Sequence, residues 1–270
     1  MVPVGIDVGA RELVVAARVN GKLRRKSFVN SQAGHRQLLR WLPSEPARAA
    51  VEATGFYSLD VCLALDEADH VEVMVANPRS VANFAKALMR RGKTDAIDAQ
   101  VLVEYAERMP FVAWTRPSSQ SLELRGVTRR IRALIKTRTA EKNRLKSAAA
   151  TRESPAIVID DIRDTIEHLK ARIDRLAAHA YELIASDGEL KRRYDLLVTI
   201  PGIARASAVR IVAELSALPA DMKVRQWVAH AGLDPRPWSS GSSIELQTRV
   251  TKAGNKHLRH ALFMPALVAI

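Results

Sequence analysis

Four acidic residues stand where apolar runs end or a helix begins, and this pattern is typical of carboxylates that hold a metal ion. Asp7 lies near the end of the run VPVGIDV, and Glu52 ends the run ARAAVE. Asp95 and Asp98 follow Thr94, a residue type that favours a helix N-cap, and their spacing places both on one helix face. The four carboxylates are therefore predicted to meet around one metal ion.

Mg²⁺ suits such a cluster because it prefers hard oxygen ligands and keeps several waters, so that a DNA phosphate can complete its coordination. Mn²⁺ has a similar preference. A bound metal orients the phosphate and stabilises developing charge. An acid in the first turn of a helix also complements the helix dipole, which explains Asp95 equally well. The spacing alone leaves both interpretations open.

The composition favours a polyanionic partner. The chain of 270 residues carries 42 Lys and Arg against 29 Asp and Glu, a net charge of +13, which points to nucleic acid. Ten of these cations lie between 125 and 152, with Glu141 as the only acid there. The predicted phosphate contacts in this segment are Arg125, Arg129, Arg130, Arg132, Lys136, Arg138, Lys142, Arg144 and Lys146. A solvated helix face is the alternative.

The elements that would position these residues form an α/β plus α chain. Residues 1–115 predict three strands with a hairpin turn at Asn20-Gly21, followed by alternating helices and strands. Residues 116–190 predict a coiled-coil arm of two long antiparallel helices. Residues 191–270 predict a mostly helical domain that begins with a helical hairpin at Pro201-Gly202. The turn amides at Gly202 would hold a phosphate if this is a helix-hairpin-helix motif; an ordinary helical hairpin is the alternative.

Several site classes are disfavoured by the sequence. Cys62 is the only cysteine, which excludes an internal disulfide and a multi-cysteine zinc site and fits a reducing cytoplasm. Gly92-Lys93-Thr94 lacks the glycine that a nucleotide-binding loop needs five positions earlier, where Ala87 stands. His257 and His260 have helical spacing but no evident third ligand, so we predict surface histidines. The sequence shows no signal peptide or membrane span, and a cytoplasmic, nucleoid-associated protein is expected.

Taken in chain order, six segments resemble the transposases of the insertion sequence 110 family, also called bridge-RNA-guided recombinases. The segments are GIDVGARELVVA, VEATGFYS, NPRSVANFAKA, RGKTDAIDA, LLVTIPGI, and AGLDPRPWSSGSS followed by TKAGNKHLRHAL. The resemblance covers almost the whole chain, and the combination of motifs is far more specific than any one of them.

The resemblance implies a Holliday-junction-resolvase-like domain of the ribonuclease-H type, with Asp7, Glu52, Asp95 and Asp98 at the family's acidic metal positions. It also implies a C-terminal transposase domain whose nucleophilic serine precedes the glycine of the SG motif, which is Ser240 here. Motif position alone leaves Ser239 open. Without the resemblance, the run SSGSS would be interpreted as a flexible loop.

In the implied mechanism, the serine attacks a DNA phosphate and forms a phosphoserine linkage that conserves bond energy during strand exchange. A serine hydroxyl needs activation, and the acidic cluster would supply it, so that both motifs form one composite site. A structured noncoding RNA selects both DNA sites, and the protein is a homo-oligomer, a dimer or tetramer. The predicted phosphate contacts near the serine are Arg236, Arg249, Lys252, Lys256 and Arg259.

Two alternatives stay open at this stage. Residues 5–9, GIDVG, resemble the first phosphate loop of actin-like and sugar-kinase-fold ATPases, although no second glycine-rich loop follows. The second alternative is a truncated relic that binds nucleic acid but has no activity. It is considered because family members extend beyond the region in which this sequence stops, at Ile270. Pro265 is expected to kink or end the last helix.

Overall fold

In a computed structural model, the chain divides into two compact units, Met1–Arg116 and Pro117–Ile270. The structure describes residues 1–53, 55, 57–89, 92, 94–219, 221–240 and 244–269, and for 239, 240 and 244–246 it describes the backbone alone. Within these residues the fold is mixed α/β and largely helical. No helix in this part of the chain is long and apolar enough to span a membrane.

The first unit contains one sheet and four helices in its described residues. Its strands are β1 (Val2–Val8), β2 (Glu12–Val19), β3 (Lys22–Val29), β4 (Ala47–Glu52) and β5 (Val71–Ala76). Its helices are α1 (Gln32–Trp41), α2 (Leu59–Asp66), α3 (Pro78–Ala87) and α4 (Asp95–Arg108). The strand order is β3-β2-β1-β4-β5, in which β1 to β3 are antiparallel and β4 and β5 are parallel to β1. This order is consistent with a ribonuclease-H-like fold.

Local sequence signals explain how the first unit begins. Val4, Ile6 and Val8 alternate with smaller or polar residues and are buried on one face of β1, as half-buried strands require. Asn20 and Gly21 both have positive φ, 49° and 74°, which a tight hairpin between β2 and β3 demands. The predicted three-strand meander and its turn are confirmed.

A row of small residues across three strands seats α4 on the sheet. Gly5 in β1 pairs with Ala16 in β2 and with Ala50 in β4, and all three are buried. A Cβ atom on Gly5 would come within 2.2 Å of the Ala99 carbonyl oxygen and 2.5 Å of the Val103 nitrogen. The helix backbone therefore packs directly on β1, and no other residue type fits at position 5 without moving α4.

The second unit is built on a long helical hairpin. Its elements are α5 (Ser119–Ala148), α6 (Ala156–Ser186), α7 (Gly188–Val198), α8 (Arg205–Leu215), α9 (Val224–Ala231), β6 (Pro235–Ser240), β7 (Ile244–Val250) and α10 (Lys256–Val268). Leu124 early in α5 clusters with Leu183 late in α6, whereas Ile131 clusters with Leu169, so the two helices run antiparallel. The two predicted long helices are present.

Two expectations for residues 191–270 need correction. The segment around the serine motif is an antiparallel hairpin of β6 and β7, so the region is less helical than predicted. Pro265 does not end α10, which continues to Val268. Because Pro265 lies in the last turn, its missing N–H removes a single helical hydrogen bond, and the residue is buried.

We expect Gly5→Ala to lower the free energy of unfolding by about 1–3 kcal/mol, the usual cost of overpacking, because the new methyl group collides with the α4 backbone. Urea denaturation measures this change. Gly126→Ala is the matched control: an added Cβ there meets nothing within 4 Å, and replacing a glycine inside α5 should stabilise by about 0.5–1 kcal/mol. Equal stability of the Gly5→Ala variant and the wild type would contradict the packing argument.

Candidate functional site

Asp7 and Glu52 occupy neighbouring positions at the carboxyl ends of two parallel strands. Ile6 pairs with Val51, so the next residue along each strand is one of the two acids. Side chains alternate along a strand, and Gly5 lies on the face that α4 covers. Asp7, two residues later, therefore projects toward the same face. Glu52 lies two residues after Ala50, which packs against α4, so Glu52 also projects toward this face.

Asp95 and Asp98 lie in the first turn of α4. The Thr94 hydroxyl accepts a hydrogen bond from the Ile97 N–H at 3.2 Å, so the predicted N-cap is confirmed. Ala99 rests on Gly5, and Glu107 late in α4 pairs with Arg18 beside the amino end of β1, so the first turn of α4 lies toward the carboxyl end of β1. The packing of α4 on these small residues thus brings the helix N-terminus and its two acids to the ends of the strands.

The electrostatics of Asp7 show that the other three acids act on it. Burial, and after it the charges of Asp95, Asp98 and Glu52, together raise the pKa of Asp7 to about 6, against a lowering hydrogen bond from the Val8 backbone. A like charge nearby disfavours ionisation, so the three neighbouring carboxylates repel the charged form of Asp7. We call these four residues the acidic cluster.

The acidic cluster is not a closed coordination shell. Among the described residues, no group of three or more His, Cys, Asp or Glu side chains has an arrangement ready to hold a metal ion. The donor chemistry nevertheless fits a divalent cation, because carboxylate oxygens are its preferred ligands and a positive charge relieves the repulsion at Asp7. Mg²⁺ or Mn²⁺ binding by all four acids stays a prediction.

We expect Asp7→Asn to raise the melting temperature of the metal-free protein near pH 7. A folded-state pKa raised to about 6 means that Asp7 favours folding below its unfolded pKa and loses that contribution as pH rises through 6. Allowing for solvent screening at this half-buried carboxyl, removing the charge should stabilise by about 1 kcal/mol. The gain should vanish near pH 4, and a gain that persists there would show another cause.

Ser240 lies at the end of β6, and the structure gives its backbone position alone. Ser240 pairs with Ile244 and Ser239 with Glu245 in the antiparallel register of the hairpin. Their side chains, and all of residues 241–243, lie outside the described residues. Both serines therefore lie in the extended backbone at the end of β6 rather than in the loop that their composition alone predicts. The choice of Ser240 over Ser239 stays a prediction.

The predicted phosphate contacts near the serine differ in their surroundings. Arg236 stacks its guanidinium over the exposed Trp238 ring at 4.8 Å, and Arg249 is its exposed register partner on β7. Lys252 and Lys256 are exposed. Gly202 has φ +87° and packs near the Pro265 carbonyl oxygen at the end of α10, so its turn supports that helix.

The KAGNKHLR segment mainly holds the unit together. A Cβ on Gly254 would lie 2.3 Å from the His230 carbonyl oxygen, so only glycine fits. The Asn255 side-chain oxygen accepts the His257 and Leu258 N–H groups and caps α10. Arg259 donates to the Ala231 carbonyl oxygen at 2.8 Å, which gives this predicted phosphate contact an internal structural partner.

A buried ion pair joins α5 to α8, and the sequence reasoning missed it. Glu214 is 3% exposed and accepts two hydrogen bonds from Arg129, both 2.8 Å, and one from Asn255 at 2.7 Å. Arg129 was expected to contact phosphate. A single acid inside the apolar run RIVAEL was the available sequence signal, because a buried charge requires a partner.

The remaining cations of α5 divide into two groups. Exposed side chains are Arg130, Lys136, Lys142, Arg144 and Lys146, of which Arg144 pairs with Glu141. Arg125, Arg132 and Arg138 are partly buried. Burial lowers the pKa of Arg125, with Arg129 adding to the effect. The exposed group is directly available to a polyanion.

The prediction of surface histidines is wrong for His257. Its ring is partly buried, and its Nδ1 atom lies 3.0 Å from an Arg132 guanidinium nitrogen. His260 is exposed, as predicted. The partner of His257, Arg132, lies on α5, far away in sequence, so the spacing of nearby residues could not indicate this contact.

Comparison with known proteins gives the family. Residues 4–151 match the DEDD_Tnp_IS110 family model, described as Transposase, and residues 194–270 match the model described as Transposase IS116/IS110/IS902 family. A pilin gene-inverting protein of Moraxella bovis is 28% identical over 98% of this chain and 82% of its own length. A probable family 20 transposase of Pseudomonas aeruginosa is 25% identical over 87% of this chain and 74% of its own.

These matches define a DNA transposase or recombinase, and the chain belongs to the IS110 family of transposases. Membership implies DNA binding and suggests dependence on a divalent metal ion.

Proposed function

We propose that this chain catalyses RNA-guided DNA cleavage and strand exchange of an insertion sequence through a phosphoserine intermediate. The observation that carries the proposal is the effect of three acids on Asp7 in a chain of this family. The name of the Moraxella relative, a pilin gene-inverting protein, supports recombination as the reaction class. The serine is supported by motif position and by its place at the end of β6.

In the proposed covalent step, the Ser240 hydroxyl oxygen attacks a DNA phosphorus atom. A serine–phosphate ester forms as the bond to the leaving deoxyribose oxygen breaks; the serine proton passes to a base, and the leaving oxygen takes up a proton. Attack by a deoxyribose hydroxyl from another strand reverses the sequence and rejoins the DNA. The ester conserves the bond energy, so no nucleotide hydrolysis is needed.

The acidic cluster is proposed to bind Mg²⁺ or Mn²⁺ through Asp7, Glu52, Asp95 and Asp98. When bound, such an ion orients a phosphate and stabilises its developing charge. The residues themselves contribute a fixed geometry, because α4 is held on Gly5 and its first turn is capped by Thr94. Rigid placement of charged groups is what electrostatic catalysis requires.

Base pairing with a structured guide RNA is proposed to choose both DNA sites, while the protein contacts backbone phosphates. The exposed cations of α5 support this division, since phosphate contacts fix register but carry no sequence information. A homo-oligomer, a dimer or tetramer, would supply a serine for each exchanged strand. Closed symmetric assemblies are the usual form of such proteins.

A strand-exchange assay tests the function. Purified protein, element-end DNA, target DNA and Mg²⁺ are combined with or without the noncoding RNA encoded beside the element, and recombined junctions are sequenced. We expect junctions only with RNA, none from Ser240→Ala, and wild-type yield from Ser119→Ala, which changes an exposed serine elsewhere in the unit. Junctions without RNA would refute RNA guidance. Nucleic-acid binding without any junctions would favour the inactive binding relic.

A further inference from the structure

Three helices of the second unit enclose a small basic cavity that the proposed function does not use. We call it the three-helix pocket. Its charged and ring-bearing lining is Arg129 and Arg132 from α5, Arg210 and Glu214 from α8, and His257 and His260 from α10. Three guanidinium groups thus face one carboxylate in a partly enclosed space.

The internal ion pair leaves a surplus of positive charge. Arg129 and Glu214 satisfy each other through two hydrogen bonds. Arg132 contacts the His257 ring at 3.0 Å and has no carboxylate partner among the described residues. A guanidinium group can only donate, so the His257 Nδ1 atom accepts and its Nε2 atom carries the ring hydrogen. That hydrogen is a donor directed away from Arg132.

Arg210 gives the strongest indication that the pocket binds an anion. It is partly buried, and within the described residues it has no hydrogen bond and no ion pair. Burial lowers its pKa, and repulsion from Arg132 lowers it further. The pKa of His260 is lowered by burial, then by Arg132 and Arg210. Unpaired charges in such surroundings are costly, and a bound anion would offset the repulsion among these cations.

The size of the pocket limits what can enter. The cavity of about 20 Å³ accommodates a single atom of the size of a water oxygen. A nucleobase does not fit, whereas one oxygen of a phosphate can enter while the rest of the group stays at the opening. Guanidinium groups form strong charge-assisted hydrogen bonds to phosphate oxygens.

We propose that the three-helix pocket binds one backbone phosphate of nucleic acid, with Arg210 and Arg132 as its cations. The proposal rests on the proposed function in one respect, that the partner is a nucleic acid. It adds Arg210 to the binding surface and separates Arg132, which binds the phosphate, from Arg129, which holds the helices together.

The test compares Arg210→Gln with the wild type in the full chain. Binding to a short random-sequence DNA duplex and to a structured RNA hairpin is measured over a series of salt concentrations, together with the melting temperature. Arg175→Gln is the matched control, because Arg175 is an exposed arginine of α6 outside the pocket. Ser240→Ala is included to separate binding from chemistry.

We expect Arg210→Gln to weaken binding about tenfold, the loss of one charge-assisted contact. The slope of log affinity against log salt should become shallower by about 0.9 on duplex DNA, and it should also become shallower on the RNA hairpin. The melting temperature should stay equal or rise, because the variant loses an unpaired charge. If Arg210→Gln loses affinity for only one of the two probes, the phosphate that binds in the pocket belongs to that kind of nucleic acid.

Unchanged affinity and slope with both probes would overturn the inference, as would a lower melting temperature, which would reveal a structural role. These outcomes are independent of the recombinase proposal. Ser240→Ala should bind as the wild type does and form no junctions. A wild-type protein that binds normally but forms no junctions would refute the proposed function and leave the pocket assignment intact.

Discussion

Asp7→Asn should reduce the rate of DNA strand cleavage about a thousandfold, which corresponds to several kcal/mol of lost charge stabilisation. The amide keeps the shape of the side chain but removes the charge on which the other three acids act. Affinity for DNA should not fall, because the change makes the protein less acidic. Single-turnover cleavage at saturating protein measures the chemical step apart from binding.

Asp69→Asn is the control for this experiment, since Asp69 is an exposed acid of the same unit outside the acidic cluster. It should cleave at the wild-type rate. Cleavage by Asp7→Asn within a few-fold of the wild type would contradict a role for the cluster. Its higher melting temperature, expected above, makes a folding defect an inadequate explanation of lost activity.

Arg129→Leu should lower the free energy of unfolding by about 3–5 kcal/mol, because it leaves the Glu214 carboxylate buried without its main partner. Burial alone would raise the pKa of Glu214, but hydrogen bonds from Arg129 and Asn255 hold it below its usual value. This contribution is present above the unfolded pKa and is lost as pH falls through the lower folded value. The cost of Arg129→Leu should therefore shrink in acid.

Urea denaturation near pH 7 measures the effect of this substitution. Arg130→Leu is the matched control, because Arg130 is the next residue along α5 and is exposed. Its replacement should change the free energy of unfolding by no more than about 0.5 kcal/mol. The double variant Arg129→Leu with Glu214→Leu should recover much of the loss, because no charge is then left buried alone. Equal costs for Arg129→Leu and Arg130→Leu would show that the ion pair does not stabilise the unit.

Local patterns explain why much of the first unit was predictable. Alternation of apolar residues marks β1, Asn20-Gly21 marks the hairpin, and Thr94 marks the start of α4. These signals depend on residues close in sequence. The grouping of Asp7 and Glu52 followed from strand ends, but the approach of α4 depends on Gly5, whose role appears only when the helix lies on it.

The second unit was harder to predict because its decisive contacts are distant in sequence. Arg129 and Glu214 are 85 residues apart, and no periodicity connects them. The hairpin of β6 and β7 was missed because Pro235, Pro237 and the serines are typical of loops. Family motifs also have more than one role: Gly254 and Asn255 fix the packing of α10, whereas the serine motif is proposed to react.

The most direct test of the central claim is a denaturing gel that detects a covalent protein–DNA adduct. Purified protein is mixed with labelled element-end DNA, the flanking noncoding RNA and Mg²⁺, and the reaction is stopped with detergent. We predict a protease-sensitive adduct for the wild type and none for Ser240→Ala or Asp7→Ala. An adduct that survives Ser240→Ala and disappears in Ser239→Ala would move the nucleophile by one residue. No adduct from a folded, RNA-bound wild-type protein would contradict the phosphoserine mechanism itself.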